Sequence, residues 1–220
     1  MTDSDLTGGD GLDAAAPGLR ARKKEKTRLA LETAALELFA EKGFDGTTVD
    51  EIAEACDVSP RTFFRYYASK EDVLFVDGDE RLEALLTELA RRPADELPIR
   101  SVQAAFLATT DEYAQDRERL VLRSRAYDSS SGLRSHKFER QRSWEEAVTA
   151  ALIERDRVTG GTAPELQLRL VAGAAMACLH AAMHQWLESG GDLPTLVRDG
   201  FDYLVDGLST RDAARVRTSA

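Results

Sequence analysis

Residues 43–70 read GFDGTTVDEIAEACDVSPRTFFRYYASK, and two short helices are marked in them by their own ends. Thr48-Val49-Asp50-Glu51 has the spacing of a capping box. The hydroxyl accepts from the N–H three residues on, and the carboxylate reaches back to the N–H of Thr48. Ile52, Ala53 and Cys56 then fall on one face, the predicted buried side. The chain turns at Asp57-Val58, and Ser59-Pro60 starts it again, with a hydroxyl at the cap and a proline where a missing N–H costs nothing. The second helix is predicted from Pro60 to Tyr67. Phe63 and Tyr67, four apart, face inward, leaving Arg61, Thr62, Arg65 and Tyr66 on the other side. An amphipathic helix that merely packs would not need this order of box, turn and second cap. The arrangement is that of a helix-turn-helix, whose second helix fits the major groove, where base edges are distinguishable.

Working outward, Leu31, Ala35, Leu38 and Phe39 recur at helical spacing, so a first helix is predicted from about Lys24 to Lys42, ended by Gly43. Downstream, Ser69-Lys70-Glu71-Asp72 starts a predicted fourth helix that runs to Arg92, where Pro93 blocks it. Five more helices are predicted at roughly 99–115, 117–128, 133–157, 163–189 and 193–208, with Gly- and Ser-rich breaks between the later ones. Alternating strand patterns are absent. The fold class is therefore all-α: an acidic disordered tail over 1–19, a three-helix helix-turn-helix domain over 20–68, and a helical domain over 69–220 joined to it by the helix 69–92.

The formal net charge of −10 is unusual for a nucleic-acid binder, but it is unevenly spread. Asp3, Asp5, Asp10 and Asp13 precede any basic residue. Arg20, Arg22, Lys23, Lys24, Lys26 and Arg28 then oppose only Glu25, and the acidic excess returns beyond residue 70. An acidic body with a local basic arm stays soluble and still binds phosphate, although such a run is also a common solvated helix start. Two cysteines far apart, Cys56 and Cys178, argue against a disulfide scaffold or a zinc module and fit a reducing compartment. The longest apolar run, Leu170 to Leu179, is shorter than the roughly 20 residues of a membrane span, and the acidic start is unlike a signal peptide. A cytoplasmic, nucleoid-associated protein without membrane contact is expected.

Residues 43–49, Ile52-Ala53, Val58-Ser59, Arg61 to Tyr67 and Ser69 to Leu74 together resemble the tetracycline-repressor (TetR-like) family over about residues 24–75. The resemblance implies a dimeric, ligand-responsive transcriptional regulator, most simply a repressor on a palindromic double-stranded operator, with a DNA-binding activator or an architectural protein as the alternative. By position, Thr48 would cap the second helix against a phosphate. Arg61, Thr62 and Tyr66 would contact bases or backbone, with Thr47, Ser59, Pro60, Phe64 and Arg65 completing the face. Lys70 would touch a phosphate at a helix start. Arg22, Lys23 and Lys24 would lie along the backbone or in the minor groove. Three positions depart from the family pattern: Asp57 replaces a turn glycine, Arg61 a small residue, and Phe64 a phosphate-binding tyrosine.

The rest of the chain resembles the family in length and helix count. The helix 163–189 is rich in small residues that admit a close neighbour. With the last helix it resembles the family's dimer bundle, so Ala174, Ala177, Ala181, His184, Phe201 and Leu204 are expected at the interface. Phe106, Tyr113, Tyr127, Phe138, Trp144, Met176, His180 and Met183 are expected around a cavity for a small effector. Similarity to actinobacterial members points to a lipophilic molecule, an acyl-thioester among them. His180 and His184 are spaced as half of a metal site, but nothing completes it, so no metal or other cofactor is expected. No nucleotide loop, nucleophile elbow or metalloprotease pattern is present, so no enzyme activity is expected.

Overall fold

A computed structural model describes residues 18–207; most of the expected tail lies outside them, and the last helix, expected to run to residue 208, ends at Val205. The described residues form ten α-helices and one short 3-10 turn, and contain no strand. The N-terminal part holds α1 (Leu19–Lys42), α2 (Val49–Ala55) and α3 (Pro60–Phe63), followed by the 3-10 turn (Asp72–Leu74). The larger body holds α4 (Gly78–Ala90), α5 (Pro98–Leu107), α6 (Thr110–Gln115), α7 (Arg117–Asp128), α8 (Ser131–Val158), α9 (Glu165–Ser189) and α10 (Leu193–Val205).

Three further boundaries differ from expectation, each for a local reason. First, α1 begins at Leu19 because Arg20 to Lys24 are good helix formers, and the Arg22 N–H donates to the Gly18 carbonyl at 3.1 Å. The basic run is thus the first turns of a helix and not an extended arm. Second, the expected helix 69–92 is interrupted. The Asp72 carboxylate accepts from the Ala68 and Ser69 N–H groups at 2.9 and 3.0 Å, while Val73 and Leu74 turn into the small core. The long helix starts only at Gly78. Third, the expected helix 99–115 is two helices. The Thr109 and Thr110 hydroxyls donate to the Phe106 and Leu107 carbonyls at 2.8 and 2.7 Å and compete with the helical ladder at that point.

Two apolar cores result. The smaller gathers Leu31, Leu36 and Phe39 of α1 with Ile52, Phe63 and Tyr67, and it draws in Ala126 of α7 and Leu133 of α8. The larger lies between α4, α5, α8, α9 and α10. Its central helix α9, with 25 residues and a most apolar window of mean hydropathy 1.4, is long and apolar enough to cross a membrane by length and composition, which the shorter uninterrupted run did not suggest. Here Leu168, Ala172, Ala175, Leu179 and Trp186 of α9 are buried in the core. Helix α10 approaches it closely because Gly200 has no side chain: a Cβ there would stand 2.6 Å from Cys178 Sγ. Phe201 is fully buried in this core, so it cannot belong to a subunit interface as expected; one helical step places it inward beside Val197.

Candidate functional site

The two short helices are built as their ends require. Thr48 Oγ1 accepts from the Glu51 N–H at 3.3 Å, and Glu51 Oε2 accepts from the Thr48 N–H at 2.8 Å. Lys42 also donates to Glu51, and these donors, Lys42 first, hold its carboxyl down at about 2. Asp57 takes the left-handed conformation, φ +53°, that the turn demands. Ser59 Oγ accepts from the Thr62 N–H at 3.2 Å, and Pro60 opens α3. After Phe63 the chain continues as tight turns through Tyr66, so the regular recognition helix is shorter than expected.

Phe63 and Tyr67 are buried with ring centres 5.4 Å apart, and the Tyr67 hydroxyl donates to the Arg28 carbonyl at 3.2 Å. This anchors α3 across α1. Arg61, Phe64 and Arg65 consequently point to solvent, with Phe64 55% exposed and Thr62 and Tyr66 half-buried. The Arg65 guanidinium lies 5.1 Å from the Tyr66 ring centre. Arg20, Arg22, Lys23 and Lys24 are exposed at the start of α1, which has no acidic residue in its first turn. Positive charge there opposes the helix dipole and is relieved by an anion.

Two expected DNA contacts turn inward. Thr47 is buried, its hydroxyl donating to the Gly43 carbonyl at 2.9 Å. The Lys70 ammonium donates to the Phe44 and Thr47 carbonyls at 2.8 and 2.9 Å and sits 4.2 Å from the Phe44 ring centre. Both residues hold the loop before α2 in place of a phosphate.

A second site lies in the larger body. Lys137, Arg140, Gln141 and Trp144 of α8 share one helical face, and Met176, Leu179, His180 and Met183 of α9 share another at the same spacing. With Phe106, Tyr113 and Tyr127 they line a cavity of about 210 Å³. Phe138 is 68% exposed and does not line it, since one residue beyond Lys137 lies a third of a turn away. Burial, together with the charge of Lys137, lowers the His180 pKa, so its imidazole is neutral near neutral pH. Burial pushes the Tyr113 and Tyr127 hydroxyls up to about 12. The Tyr127 hydroxyl donates to the Leu74 carbonyl at 2.8 Å, joining the cavity wall to the small core. His184 is exposed on another side of α9 with Glu188 at 3.3 Å.

Between the two sites is a charge cluster that sequence reasoning missed. Glu32 of α1 is fully buried and faces Arg123 at 2.7 Å, Arg28 at 3.4 Å and Arg119 at 3.7 Å. Arg123 also reaches Asp77 at 3.4 Å. Burial, the largest influence, raises the Glu32 carboxyl, while the arginines pull it down. The available signal was a carboxylate beside Leu31, on the apolar stripe of α1, with Arg28 one turn before it and the other two arginines, Arg119 and Arg123, far along the chain.

Residues 32–75 match the bacterial regulatory proteins of the tetR family, and residues 96–209 match the MftR C-terminal domain. The chain is 50% identical over 92 residues to the HTH-type transcriptional regulator TcmR of Streptomyces glaucescens, a match spanning 42% of this chain and 41% of that protein. It is 29% identical over 191 residues to the putative mycofactocin biosynthesis transcriptional regulator MftR of Mycobacterium tuberculosis, covering 85% of this chain and 93% of that one. Among solved structures it resembles the Thermus thermophilus repressor FadR in complex with lauroyl-CoA, at 25% identity and a TM-score of 0.52, over 84% of this chain and 96% of that one. With its N-terminal helices and more than half of its length matched in this way, the chain belongs to the tetR family of bacterial regulatory proteins.

Proposed function

We propose that the protein is a cytoplasmic, non-enzymatic repressor that binds a near-palindromic operator as a homodimer and is released by a small lipophilic effector. The observation that carries this reading is the division of the segment from Pro60 to Tyr67 into a buried and an exposed face. Phe63 and Tyr67 lock it onto α1, and Arg61, Phe64 and Arg65 are presented outward. Guanidinium groups so placed can pair with guanine edges, with Thr48, Ser59, Thr62, Tyr66 and the exposed start of α1 on the phosphates. Two copies must face one duplex, and α9 offers the surface for pairing. Leu166 and Leu170 are exposed there, as are Ala177, Ala181 and His184, with Ala174 half-buried. The aromatic cavity, joined to the small core through Tyr127 and Leu74, supports an effector with an apolar body. The likeness to a repressor bound to lauroyl-CoA supports an acyl-thioester as one candidate.

The test is selection of bound sequences from random DNA, followed by ligand titration of the complex. One tight palindrome, two copies per site and effector-dependent release are expected. Binding without sequence preference would make the protein architectural. A monomeric mass with and without the selected DNA would refute the dimer.

A further inference from the structure

The cavity between α5 and α9 carries charge of one sign. Lys137 and Arg140 of α8 are the charged residues in its lining, Gln141 and His180 add neutral polar groups, and no Asp or Glu lines it. The carboxylates beside Arg140, those of Asp79 and Glu139, line a separate outer hollow of about 310 Å³ with Phe75 and His136. Arg140 and Trp144 border both hollows. The Arg140 guanidinium lies 2.7 Å from Asp79 Oδ1 and 5.5 Å from the Phe75 ring centre. It also passes so close over Gly78 that a Cβ there would stand 2.1 Å from Nη2. One side chain of α8 therefore holds the first turn of α4. The hold is weak, because the Asp79 side chain is 93% exposed and water screens the pair. Lys137 has no ion pair among the described residues, and its ammonium lies 5.7 Å from the Tyr127 ring centre.

We propose that the cavity takes a small apolar acid, an aromatic or short-chain molecule ending in a carboxylate. Arg140 is its specificity-determining arm. It turns from Asp79 to the bound carboxylate and so releases the start of α4. The inference rests on the cavity being the effector site and narrows its ligand. A carboxylate shared by a guanidinium and an ammonium gains two charged donors and makes stronger hydrogen bonds than the exposed Asp79 does. Arginine can exchange the two partners by rotamer changes alone. The volume of about 210 Å³ is below the roughly 300–1,000 Å³ of most drug-sized sites, which favours a compact occupant.

Calorimetric titration of the full chain with 2-naphthoate, 4-phenylbutyrate and octanoate, each against its primary amide, tests this. The wild type is expected to bind an acid about tenfold or more tightly than its amide, the worth of one hydrogen bond to a charged group. Arg140→Met should lose most of the preference and keep only the part that Lys137 supplies, Arg140→Lys should recover part of it, and Asp79→Asn should tighten the acid alone. A merely structural Arg140 would weaken both members of each pair together. Equal binding of acid and amide by the wild type, or an undiminished preference in Arg140→Met, would overturn the proposal and leave the effector cavity standing. If none of the six compounds binds, the acid reading falls, while release of the operator complex by another lipophilic effector would still uphold the cavity as the effector site.

Discussion

Replacing Glu32 with alanine removes a fully buried carboxylate that faces three arginines, and the loss can be worked out partner by partner. Arg123, with a side chain 9% exposed, would keep only Asp77 at 3.4 Å, and its Nε already lacks a hydrogen-bond partner. Removing one member of a buried pair costs about 3–5 kcal/mol because the other charge stays out of water. Arg28 and Arg119 add little. Both are partly exposed and keep Glu25 and Asp116, and such pairs are worth about 0–1 kcal/mol. For a chain of this size each kcal/mol is about 2–4 °C, so the melting temperature should fall by about 6–20 °C in thermal unfolding followed by circular dichroism. Glu32→Gln keeps an acceptor for Arg123, and burial already favours the uncharged carboxyl, so it should lose less than half as much. Exchanging both partners, Glu32→Leu with Arg123→Met, should return to within about 1 kcal/mol of the wild type, or exceed it. If Glu32→Ala melts within about 2 °C of the wild type, or the double exchange is as unstable as Glu32→Ala, the charge cluster does not join α1 to α7.

Arg61→Ala and Tyr66→Ala should each weaken binding to the selected operator by about 1–3 kcal/mol in gel-shift titrations, with melting nearly unchanged for exposed Arg61. Arg22, Lys23 and Lys24 all replaced by Gln should lower the salt slope of DNA binding by about 0.9 for each phosphate no longer neutralised, without altering sequence preference. Gly200→Ala places a Cβ 2.6 Å from Cys178 Sγ and should cost about 1–3 kcal/mol on chemical unfolding, recovered when Cys178→Ala is added. Glu51 titrates below its ordinary value, so its contribution is complete above the unfolded-state value of 4.5 and is lost as pH falls through about 2. Glu51→Gln should therefore flatten the acid limb of the stability profile, and an unchanged limb would discount the Lys42 and Thr48 contacts.

The helix-turn-helix was legible because its signals are local. Thr48 and Glu51, Asp57, and Ser59 with Pro60 each meet a backbone requirement within four residues. What was misread depended on partners distant in sequence or on rotation about a helix. Lys70 reads as a surface cation until the Phe44–Thr47 loop folds beneath it. Phe138 and Trp144 are equally plausible cavity residues by type, and only the phase of α8 separates them. Thr109 and Thr110 are tolerated in many helices; they break this one because both hydroxyls turn back onto carbonyls. Glu32 needed Arg123, which lies 91 positions away.

The small core has a consequence for anyone recombining such regulators. Ala126 and Leu133 close its underside, and Tyr127 is tied by its hydroxyl to Leu74, so the folding module on the DNA side is not a contiguous stretch of chain. A chimaera spliced after residue 68, the seam at which sequence would invite a graft, would part Phe63 and Tyr67 from Val73, Leu74, Ala126 and Leu133. A transplanted reading head would keep its native footing only if these positions, and Arg123 beneath Glu32, travelled with it.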